Sequence, residues 1–598
     1  MLTTAQTVAL VGTQLNGMGT TNLSALTSTD FQALTATQIK YLNTTTFAGL
    51  GTTSISLLTT TQAAALGATQ LNGMGTANVN ALTSTDFQAL GAAQFSGLTT
   101  TVATGLSTTL IAVMTTAQTV ALGQTQLNGM GTTNFTALTS TDLQVLTATQ
   151  IKYLGTATLA SLTTTTFSLL TTAQAASLVA TQLNGMGTTN LTALTSTDLQ
   201  ALSAAQILAL TTTTLSGLTT TTFSLLTTTQ AASLAGTQLN GMGTTNLSAL
   251  TSTDLQAVTA TQIKTLTTAT LAGLGTTSFA LLTTTQAVAL VATQLNGMGT
   301  SNLSALTSTD LQALTATQIA SLTTTTLTAL GTTSLALLTT AQAVALLGTQ
   351  LSGMGTTNLS ALTSTDLQVL TATQITDLTT TTLSGLTTTT FALLTTAQAM
   401  ALVATQLNGM GTTNLTALTS TDLQALTATQ IKALTTTTLA ALGTTSLALL
   451  TTAQAVALAV TQLNGMGTTN LTALTSTDLQ ALTATQIAGL STTTLAGLTT
   501  TSFALLTTAQ AVALVATQLN GMGTTNLTAL TSTDFQALTA AQIAGLSTVT
   551  LSGLGTTSMA LLTTAQTAAL VATQLNGMGT TNLTALTSTV KIASVMPC

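Results

Sequence analysis

Apolar residues recur along the chain in two rows, and both rows have a period of eight residues. Within one stretch the first row consists of Leu26, Leu34, Leu42, Leu50, Leu58, Leu66 and Met74. The second row lies three residues earlier and consists of Leu23, Phe31, Ile39, Phe47, Ile55, Ala63 and Leu71. The phase holds from Leu2 to Leu586 without an insertion or a deletion. The repeating unit is therefore an octad.

The octad pattern predicts one short helix that ends before the next begins. Apolar residues three apart share one face of a helical turn. Eight residues at 100° each overshoot two turns by about 80°, so a continuous helix would carry the apolar stripe around its circumference within a few octads. The helix must therefore break once per octad. Ala, a strong helix former, often stands between the two apolar residues.

The break is marked by residues that favour the capping position at the start of a helix. The residue after each member of the first row is Thr27, Thr35, Asn43, Gly51, Thr59, Gly67 or Gly75, and all belong to the preferred N-cap set. Three residues further on stand Asp30, Gln38, Thr46, Ser54, Gln62, Gln70 and Asn78. Where that residue is Asp or Gln, the pair predicts a capping box, and the flanking apolar residues predict a hydrophobic staple. Gly75 and its equivalents also suit a left-handed residue that terminates a helix.

These features predict an all-α repeat solenoid with one helix of about five to seven residues per octad. Two buried side chains contribute roughly 3–6 kcal/mol per octad. Ordering eight backbone residues costs roughly 8–16 kcal/mol, so a single octad is not stable without its neighbours. A β-solenoid is the alternative, because β-branched runs such as Thr44, Thr45 and Thr46 favour strands. In a strand, residues three apart point to opposite faces and share a core only across a corner.

A longer period is superimposed on the octads. The triplet Gly-Met-Gly occurs eleven times, and successive copies are always separated by seven octads, as Met18, Met74 and Met130 are. Seven octads therefore make one superperiod. The sequence predicts a continuous octad-repeat solenoid over residues 1–589. Residues 590–598 form a non-repeat tail, because Val590 stands where earlier copies have Asp30 and Asp534.

Composition excludes several classes of protein. Only 3% of the residues are charged and the net charge is −6, against about 25% charged residues in ordinary domains. The five Lys and Arg residues predict no nucleic-acid partner, and the mean hydropathy of +0.57 argues against disorder. Polar residues interrupt every apolar run, so no transmembrane segment is expected, and no signal peptide is visible at Met1. Cys598, the single cysteine, is interpreted as an incidental terminal residue, with a link between two chains as the alternative.

Catalytic chemistry has few candidate residues. The chain has no His and no Glu, and a Ser or Thr nucleophile would need an adjacent base. We therefore predict no enzyme activity, no cofactor, no metal centre and no small-molecule ligand.

The Gly-Met-Gly triplet is the first candidate site, a ladder that serves either assembly or corners of the solenoid. Its glycines permit close approach of a neighbouring chain or a tight internal corner, and the sequence leaves both open. In the first three copies the residues are Gly17, Met18, Gly19, Gly73, Met74, Gly75, Gly129, Met130 and Gly131.

A ladder of aspartates is the second candidate site. Its first members are Asp30, Asp86, Asp142, Asp198 and Asp254. A carboxylate near a helix start is interpreted as a capping partner, and a Ca²⁺ ladder is the alternative. Asn22, Asn190 and Asn246 begin glycosylation-type triplets, but each occupies the capping-box position, so capping is the favoured interpretation. We interpret the lysines of the repeat as solvent-exposed surface residues without a specific role; they are Lys40, Lys152, Lys264 and Lys432.

Strings such as LTATQIKAL and LTTAQAVAL resemble the Leu-Thr-Thr-x-Gln octads of large bacterial surface and secreted proteins. The resemblance covers Leu2–Thr589 and implies an extracellular or cell-surface location with an adhesive or scaffolding role. Together with the strict repeat, it favours a structural protein that self-assembles as a homopolymer into a filament, sheath or coat. The alternatives are a spacer stalk of a larger adhesin and a threonine-array protein that binds ice.

Overall fold

The computed structural model describes residues 2–586, and within this range the chain is all-helical, without strands. The chain divides into two compact units, Met1–Asp310 and Leu311–Cys598. The described range holds 69 short helices. This confirms the all-α solenoid of short helices with one helix per octad, and the alternative β-solenoid is wrong. The predicted tail, residues 590–598 with Cys598, lies outside the described residues.

The helices keep a constant place within the octad. We number the octad from its N-cap residue as position 1, so that the two apolar residues fall at positions 5 and 8. Helices begin at position 2 and most contain four to six residues. In one repeat of the first unit they are Ser28–Ala33, Ala36–Tyr41, Thr44–Ile55, Thr60–Ala64, Ala68–Gly73 and Thr76–Val79. In one repeat of the second unit they are Ser364–Gln368, Ala372–Thr376, Thr380–Ser384, Thr388–Phe391, Thr396–Ala401, Ala404–Gly409 and Thr412–Leu415.

Most corners are made by extended residues between two helices. Thr35 is an N-cap with φ −72° and ψ 154°, and its hydroxyl accepts the N–H of Gln38. The same helix ends at Leu42, which has φ −66° and ψ 132°. The apolar residue at position 8 therefore leaves the helix, points into the core and turns the chain before the next cap.

A second type of corner uses glycine at position 1. Met74 keeps a helical conformation, and Gly75 then has φ 79° and ψ 159°. The expected left-handed helix terminator is wrong in detail, because the ψ of Gly75 is extended. Gly75 is the N-cap of the next helix, and N-caps favour extended ψ. Only glycine takes this positive φ without a penalty from Cβ. Gly51 makes the same corner inside Thr44–Ile55, with φ 73° and ψ 166°.

Helices three octads apart along the chain pack against each other, and the side chain at position 4 reaches the octad four steps earlier. In the first unit, Gln62 donates to the carbonyl of Leu34, and Asn72 donates to that of Gly97 on the following turn. In the second unit, Gln398 and Asn408 make the equivalent bonds. A superhelical turn therefore averages three and a half octads, and the superperiod of seven octads corresponds to two turns.

The core of each unit is a column of the side chains at positions 5 and 8. Phe31 is 1% exposed and Leu34 is 2% exposed, and their equivalents along the chain are similarly buried. The core contains Phe31, Phe47, Phe87, Phe95, Phe135, Phe167, Phe223, Phe279, Phe391, Phe503 and Phe535. Within each unit, the two apolar rows of the sequence are thus the two sides of its core.

Residues at position 7 of one turn lie close to residues at position 2 of the adjacent turn. A small residue on one side of this contact is paired with a larger residue on the other. A Cβ on Gly73 would stand 2.5 Å from the Cβ of Thr44, which lies on the preceding turn. The reverse arrangement occurs where position 7 is large: a Cβ on Gly12 would collide with Tyr41, and one on Gly348 with Asp377. Small residues on one side of this contact therefore allow larger ones on the other.

Three alanine substitutions within one repeat separate the roles of the glycines. Gly73→Ala should destabilise its turn by about 1–3 kcal/mol, because the new Cβ overpacks against Thr44. Gly75→Ala should cost roughly 1–3 kcal/mol through backbone strain alone, since no atom lies within 4 Å of its Cβ position. Gly67→Ala is the control, because Gly67 has φ −85°. Hydrogen exchange over residues 60–79 should rise for the first two variants only; equal exchange in all three would contradict this account.

Candidate functional site

Glutamine at position 4 joins each helix to the preceding superhelical turn. The Oε1 of Gln62 accepts the N–H of its own cap, Thr59, at 2.8 Å. Its Nε2 donates to the carbonyls of Phe31 at 2.9 Å and Leu34 at 2.7 Å. Gln62 is 1% exposed. One amide therefore starts a helix and holds the end of another.

The same arrangement recurs in the second unit. The Oε1 of Gln398 accepts the N–H of Thr395 at 2.8 Å, and its Nε2 donates to the carbonyls of Leu367 at 2.7 Å and Leu370 at 2.9 Å. The last carbonyls of a helix have no partner within that helix, and here the next turn satisfies them. The sequence predicted the capping half of this contact and missed the half between turns. A capping box uses only the side-chain oxygen of glutamine, so the remaining Nε2 donor was the sequence signal for a second partner.

Asparagine at position 6 reaches in the opposite direction along the stack. Asn72 donates from Nδ2 to the carbonyl of Gly97 at 2.8 Å, and its Oδ1 accepts the N–H of Thr99 at 2.7 Å. In the second unit Asn408 makes the corresponding pair with Ala433 and Thr435. The octad that precedes the Gly-Met-Gly corner is therefore tied to the turns on both sides.

Asparagine at position 4 also bonds to carbonyls. Asn78 donates to Met74 at 3.0 Å and to Phe47 at 3.2 Å. Asn190 and Asn246, which begin the glycosylation-type triplets, donate to Met186 and Met242 and are 7% and 8% exposed. Their amide nitrogens are thus engaged in the fold. Asn22 is exposed and donates to Met18.

The aspartates occupy the first turn of their helices. The Thr27 hydroxyl donates to Asp30 at 2.5 Å, and the Thr4 hydroxyl donates to the other carboxylate oxygen at 2.7 Å. A closed capping box forms at Asp142, where the carboxylate accepts the Thr139 N–H. At Asp30 the carboxylate accepts a hydrogen bond from the hydroxyl of the cap residue. The other four predicted members behave similarly: Asp86, Asp198 and Asp254 accept the hydroxyls of Thr83, Thr195 and Thr251, and Asp142 that of Thr139.

The aspartate ladder is widely spaced. Successive members lie two superhelical turns apart, which is roughly 16–20 Å for helices that pack 8–10 Å apart. All of these aspartates are buried, at 2–6% exposure. Within residues 2–586, no cluster of three or more His, Cys, Asp or Glu side chains is placed to hold a metal ion.

The first glycine of the Gly-Met-Gly triplet lies against the preceding turn of the same chain. Gly73 approaches Thr44 and Gly129 approaches Thr100, whereas Gly17 has no atom within 4 Å of its Cβ position. Met74 and Met130 are 3% and 4% exposed and belong to the core. Met18 is half-buried.

The second glycine of the triplet forms the corner. Gly19, Gly75 and Gly131 have φ values of 74°, 79° and 75°. Both glycines of an internal copy are therefore used within one chain, one for close approach between turns and one for a change of direction.

Replacing a position 4 glutamine should loosen two helices at once. In Gln62→Ala the Thr59 N–H and the buried carbonyls of Phe31 and Leu34 lose their partner, which should cost on the order of 2–4 kcal/mol locally. Gln32→Ala is the matched control, because Gln32 is exposed at position 6. Hydrogen exchange should rise over both residues 28–34 and 59–66 in Gln62→Ala. A rise confined to residues 59–66 would show that only the cap matters.

The carboxylate of Asp30 should titrate below the ordinary range. Hydrogen bonds from Thr27 and then Thr4 lower the pKa of Asp30, while burial raises it. Because the folded pKa is depressed, the ionised group stabilises the fold above pH of about 3.9. That contribution is lost as the pH falls through the lowered folded pKa.

Thr4→Val keeps the shape of the side chain and removes one donor, so the pKa of Asp30 should rise. The measurement is an NMR titration of the carboxyl carbon in ¹³C-aspartate-labelled protein, with Asp30→Asn to assign the signal. Thr60→Val, on another turn, is the control. An unchanged pKa in Thr4→Val would refute the role of that hydroxyl.

Comparisons with protein families and curated proteins identified no relative of this chain. No protein-family model matches the chain, and no curated protein shows a significant sequence match. None of the helices in residues 2–586 has the length and apolar character needed to cross a bilayer. A functional proposal therefore rests on the geometry of the repeat.

Proposed function

We propose that the protein is an extracellular structural protein that self-assembles into a filament, sheath or surface coat. The observation that carries the proposal is the equality of the sequence superperiod with two superhelical turns. Residues one superperiod apart therefore recur on the same face of a unit. A patch that makes a weak contact in one repeat is presented again in every repeat of that unit.

Repetition turns weak contacts into stable ones. When several identical contacts form together, each later one is intramolecular, and the combined affinity exceeds that of a single contact by roughly 10²–10⁴-fold. Weak contacts in each repeat would therefore suffice when five repeats act together. Rigid presentation matters here, and the bonds between turns supply it within each unit.

The low exposed charge supports close packing of copies. The ten aspartates of the ladder, from Asp30 to Asp534, are all buried. Charges on identical molecules repel one another and keep them apart, and few charges remain on the described surface. Threonine covers most of it and can exchange water for hydrogen bonds to a neighbour.

The proposed cellular location rests on the resemblance of the octads to bacterial surface and secreted proteins. It supports a role as scaffold and not as an enzyme, with the chain itself as partner and no nucleic acid, cofactor or small-molecule ligand. A spacer stalk and an ice-binding surface are the competing functions.

Electron microscopy of the purified protein at near-physiological salt tests the proposal. Filaments, tubes or sheets should form as the concentration rises, with a lattice spacing related to two superhelical turns. Sedimentation velocity on the same samples provides the solution control. Rods that remain separate at every concentration would refute self-assembly; thermal hysteresis in such samples would then point to ice binding, and its absence to a spacer.

A further inference from the structure

One face of each unit differs chemically from the rest of the surface. It is formed by the residues equivalent, at steps of one superperiod, to Val8, Val11, Lys40 and Tyr41, and we call it the valine–lysine face. Val8 and Val11 flank the corner at Leu10, and Lys40 and Tyr41 lie on the next turn.

The members of this face are neighbours in the stack. In the first unit, Gln38 donates to the carbonyl of Val8, and Gln70, one turn further on, donates to that of Lys40. In the second unit, Gln374 donates to Val344 and Gln406 to Thr376 in the same way. Turns that carry the valines therefore alternate with turns that carry the lysines.

Exposed apolar side chains concentrate on this face. Of the sixteen large apolar residues that are exposed in the described range, all but Val549 belong to it. In the first unit they include Val8, Val11, Tyr41, Val120, Tyr153 and Val288. In the second unit they include Val344, Leu347, Met400, Val403, Val515 and Val571. Exposed apolar side chains that are grouped on one face in this way indicate an interaction site.

The exposed charges concentrate there as well. The four lysines of the described range are Lys40, Lys152, Lys264 and Lys432, and all are exposed at equivalent places. Asp377, the aspartate outside the buried ladder, occupies the place of Tyr41. In the first unit the accessible charges of this face are therefore positive, whereas the described part of the second unit carries one charge of each sign.

In the first unit, charged and uncharged residue pairs alternate along the first four repeats of this face. Lys40-Tyr41 and Lys152-Tyr153 are large and charged, whereas the intervening copies are Ser96-Gly97 and Leu208-Ala209. Tyr41 is 68% exposed and Tyr153 is 52% exposed. The Lys-Tyr pairs are therefore two repeats apart, with uncharged pairs between them.

We propose that two copies of this chain pack through the valine–lysine faces of their first units, displaced by one repeat. This inference rests on the proposed self-assembly and identifies its interface. With this displacement, each Lys-Tyr pair of one copy meets a Ser96-Gly97 or Leu208-Ala209 place of the other. Lysines then avoid facing lysines, and each tyrosine meets the small residue Gly97 or Ala209.

The size of the face is sufficient for such pairing. With a displacement of one repeat, four repeats of each copy overlap, and at roughly 16–20 Å per repeat the shared face is about 64–80 Å long. An octad helix of about six residues gives a width of roughly 9 Å. The shared area of roughly 600–700 Å² lies at the lower end of what each partner of a stable complex contributes.

Charge spacing favours a second copy over an anionic membrane as the occupant. Lysines four turns apart are separated by roughly 32–40 Å, well beyond the Debye length of about 8 Å at physiological salt. They repel a displaced copy little, and they supply an anionic surface with only a few electrostatic contacts. Apolar burial therefore dominates the pairing, and added salt should leave it intact.

Sedimentation velocity of the full chain, with circular dichroism as a check of folding, tests the interface. Tyr41→Ala with Tyr153→Ala should raise the dimer dissociation constant at least tenfold. Alanine already occupies the equivalent place at Ala209, so these variants should fold. Val549→Ala, exposed but off the face, is the control and should associate like the parent chain.

The displacement has its own test. Leu208→Lys places a lysine where the displaced arrangement puts the partner copy's lysines, so it should weaken association at low salt and recover as salt is added. The charge-matched control is Val549→Lys, which should have no such effect. Equal weakening by both lysine variants would overturn the displaced arrangement.

Other outcomes separate this inference from the proposed function. Parent-like filaments from the tyrosine and lysine variants would place assembly on another face and overturn only the interface. A parent chain that never associates would overturn both. Salt-sensitive binding of the monomer to vesicles of phosphatidylserine and phosphatidylcholine, abolished by Lys40→Gln with Lys152→Gln, would make a lipid surface the occupant and overturn pairing of copies.

Discussion

The stack depends on a side-chain amide that serves two helices at once. In a β-solenoid, backbone hydrogen bonds between strands hold the turns together, but helices that satisfy their own backbone leave only their ends free. Here the carbonyls at the end of one helix accept from Gln62, whose oxygen also caps the helix that follows Thr59. The amide has both a donor and an acceptor, so a carboxylate cannot replace it fully.

This constraint explains why the repeat tolerates no insertion. An extra residue would move each glutamine of the following turn away from its carbonyls on the preceding turn, because the insertion would lie between the two partners. The same argument accounts for the contacts between positions 7 and 2. Gly73 and Thr44, or Tyr41 and Gly12, meet across adjacent turns at the same separation along the chain. A change on one side therefore requires a compensating change far away in sequence.

The local structure could be predicted from the sequence, whereas the contacts between turns could not. An octad with a Thr cap and two apolar residues leaves little choice of helix length, and Thr35 to Leu42 follows the prediction closely. The number of octads per turn depends on small corner angles that add up over a whole turn. Without that number, the sequence does not predict which carbonyls accept from the Gln62 amide nitrogen, nor that a second hydroxyl donates to Asp30. The extended ψ of Gly75 was missed for a related reason, since residue type indicates positive φ but not ψ.

Burial of the aspartates changes what the net charge means for assembly. A carboxylate such as Asp198, 3% exposed and bound by the Thr195 hydroxyl, stabilises its own helix start and offers no contact to a partner. Among residues 2–586 the accessible charges are few and lie on the face that also carries the exposed valines and tyrosines. Exposed charged and apolar residues are thus collected on one face by the two-turn period. Positions that recur every seven octads lie on the same side of a unit, so substitutions at these positions change one face only. A repeat that did not complete a whole number of turns would distribute the same substitutions around the solenoid and leave no distinct face.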